Sequence, residues 1–225
     1  TIVAGAQWGD EGKGRVVDLL AQDADMVMRC QGGPKAGHTV VNDRGKFILH
    51  SVPSGIFSER AACVIGAGTV INPSGLATEI SELQKAGIDV SRLVISDRAH
   101  LIMPYHIALE RMDEDERAEG DRIGPTGQGI APAYADKAAR RGLRAGDLLD
   151  MAELSRTLAR NTECANTVLT AFGRANVSCV EMLAELRAAA EFLAPFIGDT
   201  TKVMSDALSD GKCIILEGQL GVMRD

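Results

Sequence analysis

No run of apolar residues approaches the roughly 20 needed to cross a bilayer, so a helical membrane span is not expected. The opening Thr1-Ile2-Val3-Ala4-Gly5 has no basic head of the kind that starts a secretory signal and reads as a short strand, which predicts a cytoplasmic protein. Five cysteines (Cys30, Cys63, Cys164, Cys179 and Cys213) form no C-x-x-C pair and are odd in number, so neither a disulfide framework nor a zinc site is expected. The four histidines stand in no H-x-x-x-H arrangement. Positive charge is also short: 24 basic residues against 31 acidic ones leave a net charge of −7, without the overall field that favours nucleic acid or an anionic membrane as a partner.

What remains is an ordinary globular composition. With 45% hydrophobic and 24% charged side chains, the 225 residues can bury a substantial core. Short apolar runs alternate with segments of helical period, which predicts an α/β fold with a mainly parallel central sheet and flanking helices. The predicted strands are Ile2 to Ala6, Met26 to Cys30, Ala62 to Ile65, Leu93 to Ser96 and Lys212 to Glu217. Asn42-Asp43-Arg44-Gly45, flanked by the apolar Val40-Val41 and Phe47-Ile48-Leu49, predicts a hairpin. Asn72-Pro73 opens a helix that Gly87 closes, and a second helix runs from about Pro104 to Arg117. Residues 119–133 read as a loop rich in Gly and Pro, with helix resuming at Ala135. We expect one nucleotide-binding domain over residues 1–225, carrying a helical insertion over residues 151–210, with more chain beyond residue 225. A ligand loop such as Gly218-Gln219-Leu220-Gly221 is usually followed by a return helix.

Three glycine-rich segments carry chemistry. Gln7-Trp8-Gly9-Asp10-Glu11-Gly12-Lys13-Gly14 lies between a strand and a helix, where free N–H groups, the positive helix end and Lys13 form a phosphate cradle. The spacing is not that of a Walker A loop, and Gly14 stands where a magnesium-binding hydroxyl would be, so Asp10 is the nearest anionic candidate for a metal. Gln31-Gly32-Gly33-Pro34-Lys35-Ala36-Gly37-His38-Thr39 follows the next strand, and two such loops can converge on one crevice, with His38 facing Asp10 across a phosphate. Ile123-Gly124-Pro125-Thr126-Gly127-Gln128-Gly129, followed by Lys137, Arg140 and Arg141, suits a second anion. Gly66-Ala67-Gly68 only begins a dinucleotide fingerprint, lacking the third glycine and the helix that would complete it.

Taken in order, the motifs resemble those of the adenylosuccinate synthetase family. The carriers are Gln7 through Gly14, Ala36-Gly37-His38-Thr39, Pro53-Ser54-Gly55-Ile56, and Gly129-Ile130 through Asp136-Lys137-Ala138-Ala139-Arg140-Arg141-Gly142. The resemblance implies a ligase that joins L-aspartate to IMP, using GTP (or ATP) and Mg2+, through a 6-phosphoryl intermediate. It implies Asp10 and His38 as catalytic groups, and Asp10 with the Gly37 carbonyl as metal ligands. Gly9, Glu11, Gly12, Lys13, Gly14, Gly37 and Thr39 would hold the nucleotide phosphates. Lys35, Ala36, Thr126, Gln128, Arg140, Gln219 and Leu220 would hold the acceptor nucleotide, with Arg140 reaching across a homodimer. Where the family usually has Asn, Thr, Arg and Gly, this sequence has Lys35, Pro125, Gln128 and Ala131, and the family's E-G-A-Q-G becomes Glu217-Gly218-Gln219-Leu220-Gly221. These changes leave open a sibling acting on another 6-oxopurine nucleotide such as (d)GMP or using another amine. An inactive nucleotide-binding fragment is the third reading.

Overall fold

A computed structural model of the protein describes residues 1–35, 37–121 and 127–224. The strands are β1 (Ile2–Gly5), β2 (Met26–Gly32), β3 (His38–Asn42), β4 (Gly45–Leu49), β5 (Ala62–Ile71), β6 (Leu93–Ser96), β7 (His100–Leu101), β8 (Ile197–Gly198) and β9 (Ile214–Gly221). The α-helices are α1 (Lys13–Leu20), α2 (Pro73–Lys85), α3 (Pro104–Glu116), α4 (Ile130–Ala138), α5 (Met151–Ala171), α6 (Cys179–Leu193) and α7 (Thr200–Ser209). The main sheet has the order β1-β9-β2-β5-β6-β8 with every pair parallel, and β7 extends it beside the far end of β5. The α/β expectation is met.

Alternation along the strands decides which helix lies on which face. Val27, Cys63, Ile65 and Ile215 join the large core beneath α1, α2, α5 and α6, whereas their neighbours Met26, Val64 and Ile214 point the other way, onto Ala207 and Val203 of α7. Side chains just outside the helices start them. Asn72 accepts from the Gly75 N–H at 3.0 Å, with Pro73 at the first helical position, and Asp150, Ser178 and Asp199 cap α5, α6 and α7 in the same way. Asn72→Ala is expected to destabilise the protein by about 1 kcal/mol. A fall in the thermal midpoint of about 2–4 °C would register it, and an unchanged midpoint would show that the cap is dispensable.

Several predicted boundaries move. Helix α4 begins at Ile130, well before Ala135, because the residues that read as breakers form its entry. Gly129 adopts φ +69° and gives its N–H to Glu110 Oε2 at 2.7 Å, and Pro132 falls in the first turn, where no intrahelical N–H is needed. Strand β9 continues to Gly221, so Gly218-Gln219-Leu220-Gly221 is not a loop. A Cβ at Gly218 would stand 2.9 Å from Val3 O, so glycine there lets β1 and β9 approach. Strand β5 likewise runs through Gly66-Ala67-Gly68 to Ile71, with a register shift against β2. Within residues 151–210, Ile197–Gly198 forms the sheet's edge strand, too short for periodicity to reveal.

Candidate functional site

The loops that follow β1 and β2 meet the end of β9 at one edge of the parallel sheet. Met223 N donates to Gln7 O at 3.0 Å, and a Cβ on Gly9 would lie 2.9 Å from Gly221 N. Gln219 Oε1 accepts from Gly33 N at 2.5 Å, which ties β9 to the second loop. Tyr134 of α4 closes the group. Its hydroxyl accepts from Gly32 N at 2.9 Å and donates to Gly68 O at 2.8 Å, so the 129–142 segment adjoins the same edge.

In the first loop, Gly12 (φ +83°) turns the chain into α1. Lys13 is only 4% exposed, and its ammonium lies 3.0 Å from Gly9 O and 3.1 Å from Glu11 Oε2. Glu11 Oε1 accepts from Gln7 N at 2.8 Å and Gly9 N at 3.2 Å. Its own backbone N–H, those of Gln7 and Gly9, and Lys13 hold the Glu11 carboxyl down at about 2, against a smaller upward push from burial. The Glu11 carboxylate only accepts, so a phosphate would meet Glu11 through its backbone N–H, and here the carboxylate engages donors that the sequence assigned to the nucleotide. Asp10 is exposed and, among the described residues, takes no hydrogen bond or ion pair, which leaves it uncommitted.

The second loop delivers His38 at the start of β3. The imidazole sits against the first turn of α1: a Cβ added to Gly14 would stand 2.7 Å from His38 Cβ and 3.1 Å from Ser54 Oγ. The imidazole therefore packs directly on the turn that follows the glycine-rich loop, and Gly14 is required because any side chain would wedge the two apart. The ring is 7% exposed. Its Nδ1 lies 2.6 Å from Glu217 Oε1, 3.0 Å from Arg29 Nη2 and 3.3 Å from Ser54 Oγ, while Nε2 is buried with no partner among the described residues.

Glu217 is fully buried, and Arg29 is 2% exposed. Glu217 Oε2 accepts from Ser54 N at 2.9 Å, and Oε1 takes the Ser54 hydroxyl at 2.7 Å and Arg29 Nη2 at 3.4 Å. Burial pushes the Glu217 carboxyl up, but the charge of Arg29 and the bonds from His38 and Ser54 outweigh it and hold the group at about 2. Sequence reasoning assigned no role to Arg29, Ser54 or Glu217. One signal was present: an arginine inside the apolar run Met26 to Cys30 has to be paired when that strand is buried.

The remaining predicted residues are placed unevenly. Gly37 and Lys35 are exposed on the second loop, and Thr39 is exposed on the hairpin face opposite His38. Gln219 lies on the buried face of β9 with Glu217, its Nε2 without a partner among the described residues, whereas Leu220 points to the other face, half-buried. Gln128 is half-buried just before α4. Of the basic residues closing α4, Lys137 donates to Ala67 O at 2.9 Å and Arg141 to Asp136 Oδ1 at 2.6 Å, so both are engaged within the fold. Arg140 is exposed at φ +57°. Ala36 and Thr126 lie outside the described residues. A cavity of about 310 Å³ lined by Asp18, Gln22, Asp43, Arg44 and Phe57, among others, includes none of the predicted site residues.

Comparison with known proteins shows the family. The family profile described as adenylosuccinate synthetase matches residues 2–225. The chain is 46% identical over 225 residues to the adenylosuccinate synthetase of Brevibacillus brevis, covering all of this chain and 52% of that protein. It is 47% identical over 236 residues to that of Salinibacter ruber, again covering all of this chain and 53% of the relative. Among solved structures, the fully ligated adenylosuccinate synthetase of Plasmodium falciparum superposes with a TM-score of 0.89 at 30% identity, covering 100% of this chain and 52% of that one. A cyanophage S-2L succinoaminodeoxyadenylate synthetase bound to dGMP and dATP shares the fold, at a TM-score of 0.59 and 19% identity over 98% of this chain and 51% of its own. The chain spans about half the length of the curated relatives it matches. With the profile match running from the first strand through the loop of Asp10 and the turn of His38 to the end of β9, the chain belongs to the adenylosuccinate synthetase family.

Proposed function

We propose that the protein carries the phosphoryl-transfer part of a purine-nucleotide ligase, which condenses L-aspartate with IMP at the expense of GTP to give adenylosuccinate in AMP biosynthesis. The observation that carries this reading is the seating of His38 on the first turn of α1, which joins imidazole and phosphate cradle in one site. The chemical problem is that a purine 6-oxo group leaves poorly. Phosphorylating that oxygen turns it into a good leaving group, which the amine of aspartate displaces.

Each residue then has a task. Asp10, exposed and uncommitted, takes the proton from N1 of the purine, concentrating charge on the 6-oxygen. His38 stabilises charge on the migrating phosphoryl group by donating from Nε2 when that nitrogen, unpartnered among the described residues, carries a proton. Lys13 and the N–H groups at the start of α1 hold the nucleotide phosphates once these displace the Glu11 carboxylate from the cradle. Asp10 and the carbonyl of Gly37 fit Mg2+, a hard cation that takes few protein oxygens and completes its shell with phosphate and water. Bound Mg2+ would neutralise charge on the phosphate oxygens. Lys35, Gln128, Gln219, Leu220 and Arg140, with Ala36 and Thr126, are the acceptor-side residues, and Gly9, Gly12, Gly14 and Thr39 the donor-side ones. A homodimer in the cytoplasm, with Arg140 crossing the interface, belongs to the same reading.

The test is phosphate release by the longest native polypeptide with Mg2+, GTP or ATP, aspartate, and IMP, GMP or dGMP offered separately. Release with IMP is the expected result. Release only with GMP or dGMP would transfer the reading to the sibling activity, and silence throughout would leave a nucleotide-binding protein. Arg140 offers a variant without folding ambiguity, because glycine adopts φ +57° more readily than arginine. Arg140→Gly should leave the thermal midpoint unchanged or higher and raise KM for the acceptor about 10-fold or more, the scale of a lost charged hydrogen bond. An unaltered KM would remove Arg140 from the acceptor site.

A further inference from the structure

We infer that Glu217 is a positioning residue for His38: together with Ser54 and Arg29 it holds the imidazole with a proton on Nδ1, so that a second proton, when the ring carries one, lies on Nε2, the atom presented to the transferring group. The inference rests on the phosphoryl-transfer reading above for what Nε2 meets, but the tautomer follows from the packing alone.

The argument is one of donors and acceptors. Glu217 makes its shortest contact, 2.6 Å, with His38 Nδ1, against 3.4 Å to Arg29 Nη2. A fully buried carboxylate with this set of partners is ionised and only accepts. The Ser54 hydroxyl spends its single proton on the same Glu217 oxygen at 2.7 Å, so it is not a donor to the ring. Arg29 Nη2, also a donor, lies 3.0 Å from Nδ1, but a bare Nδ1 would set its lone pair against the ionised Glu217 oxygen at only 2.6 Å, so the shorter contact assigns Nδ1 the proton shared with Glu217 Oε1. Arg29 Nη1 donates to His50 O at 2.6 Å, which fixes the guanidinium so that its charge balances the carboxylate. Ser54 N holds the second carboxylate oxygen at 2.9 Å, so the carboxylate cannot turn away. A plain structural ion pair between Arg29 and Glu217 would need no imidazole at hydrogen-bond distance. Here the closest bond is the one that orients the ring.

His106 provides an internal contrast. Its Nδ1 accepts from Met103 N at 2.9 Å, so its proton lies on Nε2, which meets Asp136 Oδ2 at 3.1 Å. Two buried histidines, each beside a carboxylate, are thus set in opposite tautomers by their backbone and side-chain neighbours.

The direct experiment needs no Glu217 variant: nitrogen-15 spectra of histidine-labelled wild-type protein, with His38 and His106 assigned through His38→Gln and His106→Gln. A proton on Nδ1 of His38 and a bare Nδ1 on His106 is the expected pattern. A bare Nδ1 on His38 overturns the inference. In the phosphate-release assay, Glu217→Gln should lower kcat by about 10²–10⁴-fold, as when a carboxylate that fixes an imidazole tautomer loses its charge, with KM for the acceptor nucleotide within about threefold. An unchanged kcat also overturns it. If the wild-type protein releases no phosphate with any nucleotide, the proposed function fails while the spectra still decide the tautomer, so the two failures are distinguishable.

Discussion

Asp10→Ala is expected to reduce phosphate release by about 10²–10⁴-fold, the range a positioned general base contributes, and to leave the thermal midpoint where it is. The second half makes the first interpretable. Asp10 is exposed on the loop between β1 and α1, and among the described residues nothing bonds to it, so truncation removes no internal contact. Surface changes of this kind normally shift stability by no more than about 0.5 kcal/mol. Acceptor-nucleotide binding should persist because Asp10 acts on the proton at N1. Calorimetric titration with IMP, run beside the rate assay, separates the two effects. Retained turnover would remove Asp10 from its role as base, and lost binding without lost stability would move it to the acceptor site.

Arg29→Ala is expected to have the largest effect on stability. The guanidinium is buried against the fully buried Glu217 carboxylate, and deleting one partner of such a pair typically costs about 3–5 kcal/mol because the other charge is left uncompensated. For a chain of this length the thermal midpoint should fall by about 6–20 °C. The acid limb should move as well. In the native protein Glu217 is held at about 2, below its ordinary 4.5, so its contribution is fully present above pH 4.5 and is lost as pH falls toward 2. Without Arg29 the upward push of burial meets less opposition, so the acid loss, which begins at the same ordinary 4.5, should be smaller and be complete at higher pH than in the wild type. Urea titrations at pH 7 and pH 4 measure both, and Arg29→Met with Glu217→Leu should recover part of the loss if the uncompensated charge is its cause. A midpoint within 2 °C of wild type would mean that the pair contributes little.

The parts of the fold that were legible in the sequence are those whose causes are local. Asn72-Pro73 announces α2 because cap and first-turn proline act on neighbours three residues away, and the hairpin turn Asn42-Asp43-Arg44-Gly45 is read in the same way. Local reading failed where a residue that breaks structure in isolation serves packing instead. Gly129 and Pro132 looked like loop and form the entry of α4, and Gly218 looked like loop and lets two strands meet. Leu220 and Gln219 could not be sorted from sequence, because a strand continued by four residues sends alternate side chains to opposite faces. Glu11 reads as one more polar residue of a cradle until its carboxylate is seen engaging the cradle's own donors.

By itself the sequence determined the α/β class and the existence of three glycine-rich segments suited to anions, and it singled out Asp10, Lys13 and His38 for the reactive roles proposed above, because glycine spacing and charge beside a strand end are properties of contiguous residues. Only the tertiary structure decided that His38 rests on the first turn of α1 and that its ring is held by Glu217, Ser54 and Arg29. Those contacts close loops of up to 188 residues, and the pairing of a buried charge depends on which strands the sheet sets side by side, an outcome of the whole chain burying its apolar faces at once.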